Sequence, residues 1–134
     1  MTLKTSIRIL SLFFVVLGCG VASNAQRAGN WEYLGDAHVD GGADHDKIKV
    51  ENPGAFRAIQ IQVVSGAIEF ERVVIHFENG ADHQVSIKAR LRAGERSRVI
   101  DLPGDQRRIH SVEFWYVKAN WGSNRPHLKL FGRR

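Results

Sequence analysis

Apolar and polar residues alternate through most of this chain, and that period of two constrains its fold more than any other feature. Ile59, Ile61 and Val63 alternate with Gln60 and Gln62, and Val73, Ile75 and Phe77 with Val74 and His76. Val85, Ile87, Ala89 and Leu91 alternate with Ser86, Lys88 and Arg90. Successive side chains of an extended strand point to opposite sides, so each run reads as a strand with one buried and one wetted face. The β-branched content of the runs agrees. No long stretch carries the 3.6-residue period of a helix.

Turn signals punctuate the runs: Asp40-Gly41-Gly42, Asn52-Pro53-Gly54, Ser65-Gly66, Asn79-Gly80, Ala93-Gly94, Pro103-Gly104 and Gly122-Ser123-Asn124. Asn79-Gly80 is the strongest, a pair suited to the positive φ angles of a tight hairpin. It predicts a strand ending near Glu78 and another starting near His83. Together these signals place strands near 31–35, 46–50, 56–64, 67–78, 83–92, 96–102, 109–118 and 126–132. Within 67–78 the buried parity switches from Ile68 and Phe70 to Val73, Ile75 and Phe77, which predicts a β-bulge near Glu71-Arg72. About eight short antiparallel strands, each with one apolar face, predict an all-β fold packed as an antiparallel β-sandwich. A closed β-barrel is the alternative.

The first 25 residues read differently. Lys4 and Arg8 precede an apolar run from Ile9 to Leu17, and small residues follow. This is the three-part pattern of a secretory signal peptide. The run is shorter than the roughly 20 residues a membrane-spanning helix needs, so no transmembrane span is expected. Ser23-Asn24-Ala25 predicts cleavage before Gln26, leaving residues 26–134 as one β-sandwich domain. The expected location is periplasmic or secreted. A rival reading takes Val16-Leu17-Gly18-Cys19 as a lipobox, making the product a lipoprotein anchored by lipid at Cys19. Cys19 is the chain's one cysteine, so on either reading the domain holds together without an internal disulfide.

Removal of Lys4 and Arg8 with the leader leaves 17 basic residues against 14 acidic ones. That excess is too small to point to nucleic acid. The charges are unevenly spread: 31–54 carries six acidic residues against two lysines, and 88–108 carries seven basic against three acidic.

An ordered series of motifs runs through the domain: Trp31-Glu-Tyr-Leu-Gly35, Asp44-His-Asp46, Phe56-Arg-Ala-Ile59, Asn79-Gly80, Val99-Ile-Asp-Leu-Pro-Gly104 and Val112-Glu-Phe-Trp-Tyr116. From Trp31 to Gly132 this series resembles a family of small exported bacterial proteins known as a domain of unknown function. The resemblance implies a secreted or periplasmic all-β domain. It brings no catalytic residues.

Three clusters are candidates for chemistry. The run Asp36 to Asp46 holds four carboxylates and two imidazoles, and Asp40, Asp44 and Asp46 in a glycine-rich loop are an oxygen set suited to calcium. It lacks the spacing and terminal Glu of an EF-hand. The plainer reading is that these aspartates fill turns by bonding nearby backbone N–H groups; zinc or copper on His38 and His45 is a further alternative.

The second cluster is aromatic. Trp31 and Tyr33 share a strand face, Trp115 sits opposite Phe114 and Tyr116, and Trp121 lies in a Gly-Ser-Asn loop. Exposed rings on a β-sandwich stack against sugars, although aromatic residues more often fill the core or its rim. The third cluster is basic: Lys88, Arg90 and Arg92 point outward from one strand, with Arg96, Arg98, Arg107 and Arg108 on neighbouring runs. Such arginines suit phosphate or carboxylate groups, and equally a solvated strand face.

Enzymatic signals are weak. Glu69 and Glu71 stand about 6.6 Å apart along one strand face, a tolerable separation for glycosidase carboxyls and an ordinary one for a wetted strand. Asp101, His110 and Ser111 do not make a triad, because adjacent strand residues point to opposite faces. The sequence therefore predicts a non-enzymatic exported β-sandwich that binds a glycan or an anionic envelope component. Trp115 and Trp121 are the expected stacking residues, and Arg90, Arg92 and Arg107 the expected charged contacts. The alternative is a structural or interaction domain with a calcium-stabilised aspartate loop at Asp40, Asp44 and Asp46.

Overall fold

The computed structural model describes residues 30–39, 44–104 and 106–134. The leader, Cys19, the turn at Gly41-Gly42 and Asp40 lie outside the described residues. Residues 31–134 form one compact unit. Its nine described strands are β1 (Trp31–His38), β2 (His45–Lys49), β3 (Ala55–Phe56), β4 (Ala58–Ser65), β5 (Ala67–Phe77), β6 (His83–Arg92), β7 (Ile100–Asp101), β8 (Arg107–Tyr116) and β9 (His127–Arg133). No helix among the described residues is long and apolar enough to cross a membrane.

The strands form two antiparallel sheets, one four-stranded in the order β1-β9-β4-β7 and one five-stranded in the order β2-β8-β5-β6, with β3 also on β8. The alternation in the sequence places the core between them. Ile59, Ile61, Val63, Leu128 and Leu130 of the first sheet and Ile75, Val73, Val112, Phe114 and Tyr116 of the second belong to one buried cluster. The sheets close on this core as a sandwich rather than on themselves, so the barrel alternative does not hold.

The parity switch in β5 has the expected cause. Against β8, Phe70 faces Tyr116 and Arg72 faces Trp115, so Glu71 is one residue too many and every later side chain changes sides. That keeps Ile68 and Phe70 buried before the bulge, and Val73, Ile75 and Phe77 after it.

Three details differ from the sequence expectation, the first being that the strand expected at 56–64 divides at Arg57 into β3, paired with β8, and β4, paired with β9. The Asn79-Gly80 connection is looser than a tight hairpin: Gly80 has φ +96°, but 78–82 all lie between β5 and β6. The strand expected at 96–102 is reduced to a single bridge, Arg96 to Gln62, and to β7. Ser97 interrupts it, because its buried hydroxyl accepts the Ile61 N–H at 3.0 Å.

Candidate functional site

The turn after β8 brings Trp121 back over the start of β5. Its indole Nε1–H donates to the Ala67 carbonyl at 2.9 Å, and its ring meets Tyr116 edge-on at 6.0 Å. Tyr116 is itself fixed, its hydroxyl donating to Asp46 at 2.7 Å. A rigid indole thus walls a cleft of ≈ 260 Å³ whose other sides include Glu69, Arg90, Val117 and Asn120. Glu69 and Arg90 are direct cross-strand partners on β5 and β6. Among the described residues neither side chain has a hydrogen bond or an ion pair. Their charged groups are free to meet a ligand in the cleft.

A second groove of ≈ 310 Å³ adjoins this cleft along β5 and β6. It shares Glu69 and Val117 with the cleft and adds Glu71 and Lys88. Val117, 41% exposed, lies between the two as an apolar floor.

Of the five residues expected to contact ligand, the structure brings Trp121 and Arg90 together. Arg92 follows at the exposed end of β6, outside the lining of the cleft, where its N–H donates to the Glu95 carboxylate at 2.6 Å. Trp115 stands on the outer face of the five-stranded sheet with its ring already covered. The His45 imidazole stacks on it at 5.1 Å and the Arg72 guanidinium lies over it at 4.1 Å. Arg107 is placed at the Phe77 end of β5, roughly 33 Å of strand from Ala67. There its guanidinium donates to the Pro103 and Asn79 carbonyls at 3.0 and 2.7 Å and covers the Phe77 ring at 3.8 Å.

The other basic residues do not gather into one patch either. Arg96 lies over Phe131 of the four-stranded sheet, and Arg98 donates to the Ser86 carbonyl.

The aspartate set is divided. Asp44 accepts from His45 at 3.1 Å, and this bond holds its carboxyl below the usual carboxylate range. Asp46 sits in β2, bound by Tyr116. His38 stacks on His127 at 4.1 Å while His45 stacks on Trp115. Among the described residues no group of three or more His, Cys, Asp and Glu side chains is arranged to hold a metal ion; Asp40 lies outside them.

One constellation escaped the sequence reading. On the outer face of the five-stranded sheet, Asp44, His45, Glu113, His76 and Asp82 form an alternating chain of carboxylates and imidazoles. Its links measure 3.1, 3.6, 3.0 and 2.9 Å. Both ring nitrogens of His76 face carboxylates, and Ser111 is its neighbour across the strands. The available signal was His76 and Glu113 at outward positions of their strands; the strand order needed to join them was not.

No curated protein matches the chain, and no solved structure does. A family model does match, over nearly the whole length. The chain belongs to the family described as Domain of unknown function (DUF2541), whose model covers residues 8–132.

Proposed function

We propose that this chain is an exported, non-enzymatic β-sandwich that binds a cell-envelope glycan in the cleft beside Trp121. One observation carries the reading: a fixed indole faces a cleft in which Arg90 and Glu69, opposite each other, are both unpaired among the described residues. Sugar rings offer an apolar C–H face for an indole, and hydroxyls that both donate and accept. The guanidinium supplies donors and the carboxylate acceptors, so the cleft matches a neutral polar ring on each side. Few, fixed polar groups beside an apolar wall are the general form of a small-ligand site.

A thermal-shift screen of the purified protein against a glycan panel, with calcium and a chelator as controls, tests the reading. A ligand at a hundred times its dissociation constant stabilises the folded state by about 2.7 kcal/mol. We expect a glycan-specific rise that Trp121→Ala abolishes at temperatures where the variant is folded. A rise with calcium alone would instead favour the metal-stabilised aspartate loop. Export is tested by the mass of the processed chain. A product beginning at Gln26 supports the signal peptide, and a lipid on Cys19 the anchored form.

A further inference from the structure

The groove next to the Trp121 cleft contains a strained residue. Between Phe70 and Arg72, β5 has the single residue Glu71, while the facing stretch of β6, between Ser86 and Ala89, has two, Ile87 and Lys88. β6 therefore bulges as well, and Lys88 takes up the turn with φ +47°. Alone among the described non-glycine residues, it has a positive φ. Glycine occupies this kind of bulge position without a steric penalty, so the backbone gives no reason for a lysine. The side chain does: Lys88 lines the groove with Glu69, Glu71 and Val117. Among the described residues its ammonium has no hydrogen bond and no ion pair. Strain held at the wall of a groove is a sign of a functional side chain.

Lys88 follows the cleft in a definite direction. It lies two residues from Arg90 on the same outward face of β6, about 6.6 Å away along the strand. A ligand with one ring against Trp121 and hydrogen-bonded to Arg90 reaches Lys88 with its next unit. We infer that Lys88 is a specificity-determining residue that meets a carboxylate, phosphate or sulfate on that next unit. The glycan is then anionic and at least two sugar units long. Glu69 and Glu71, the carboxylates facing Lys88 in the groove, accept hydroxyls of the same units, and Arg90 serves the unit at Trp121. This inference rests on the cleft being a glycan site.

The experiment uses a matched pair of oligosaccharides with the same backbone, a tetramer whose alternate sugars carry carboxylates and its methyl ester. Binding of each to the full protein is followed by calorimetry at low salt. The wild type should prefer the acid by about tenfold, as one charge-assisted contact provides. Lys88→Met and Lys88→Gly should lose the preference and still bind the ester, while Lys88→Arg keeps it. Lys88→Gly should also melt higher, by about 3 °C, because the left-handed backbone is relaxed. An undiminished acid preference in Lys88→Met and Lys88→Gly overturns the inference and leaves the cleft reading standing. A wild type that binds the ester but shows no acid preference does the same. Failure of the wild type to bind either form overturns both.

Discussion

Gly132 sits in β9 between Glu32 of β1 and Ile59 of β4, with its Cα turned to the core. Its φ lies outside the left-handed region, so alanine meets no backbone objection there. Space is the objection. A Cβ at Gly132 would lie 2.7 Å from Leu34 Cδ1 and 2.8 Å from Phe56 Cδ1, about 0.6–0.7 Å inside the 3.4 Å where ordinary contact begins. Phe56 is fully buried and cannot swing into solvent. Overpacking of this kind costs about 1–3 kcal/mol, and the lower entropy of the unfolded alanine chain returns about 0.5 kcal/mol. Gly132→Ala should therefore destabilise the protein by about 1.5 kcal/mol, a fall of roughly 9 °C in Tm. Urea and thermal unfolding measure it, with an unchanged m-value showing that the unfolded state is unaffected. In a Leu34→Val background, which removes the closest atom, the same change should cost less. A Gly132→Ala variant that melts at or above the wild type would refute the close approach of β9 to Leu34 and Phe56.

Two further outcomes concern the charged surface. Glu113→Gln removes the anion shared by His45 and His76 at a side chain 17% exposed, and should cost about 1 kcal/mol in urea unfolding. If the groups act as one chain, the cost shrinks when His76 is already replaced by Gln. Asp36 is held below the usual carboxylate range, first by its bond to His127 and then by Tyr33; Asp44 is held low by His45 and Glu32 by Arg134. At the pH where the unfolded carboxyls already take up protons, the folded ones do not. Stability is thus full above the unfolded pKa of about 4 and falls as pH drops through the folded values. Urea midpoints from about pH 5 to about pH 2.5 should show that slope, and Asp36→Asn should flatten it.

The strands were legible in the sequence because their burial depends on near neighbours. Ile59, Ile61 and Val63 need only a core on one side, and the Phe70 to Val73 parity break reports its own bulge. Pairing order was not legible. Nothing local tells His127–Arg133 to enter between β1 and β4, and alternation is the same for a central strand as for an edge. The candidate site shows the same division. Trp121 and Arg90 were visible as types, but their meeting depends on the chain turning back after Tyr116. Arg107 looked like a free cation because its acceptors are backbone carbonyls at Asn79 and Pro103, groups every residue carries. The imidazole and carboxylate chain joins His76 to Glu113 across a separation of 37 residues. No periodicity reports that.

The place of β9 also governs when the molecule can finish folding. Its seven residues come after the other described strands in sequence, yet they sit inside the four-stranded sheet and hold both β1 and β4. Until they arrive, Trp31–His38 has no strand to pair with in that sheet and the Leu128 and Leu130 layer of the core is missing. Pairings this distant in sequence form slowly, after the ends of a long loop have met. The four-stranded sheet stays incomplete until His127–Arg133 has been made. β9 is thus the latch of the four-stranded sheet, the strand whose arrival closes that layer over the core.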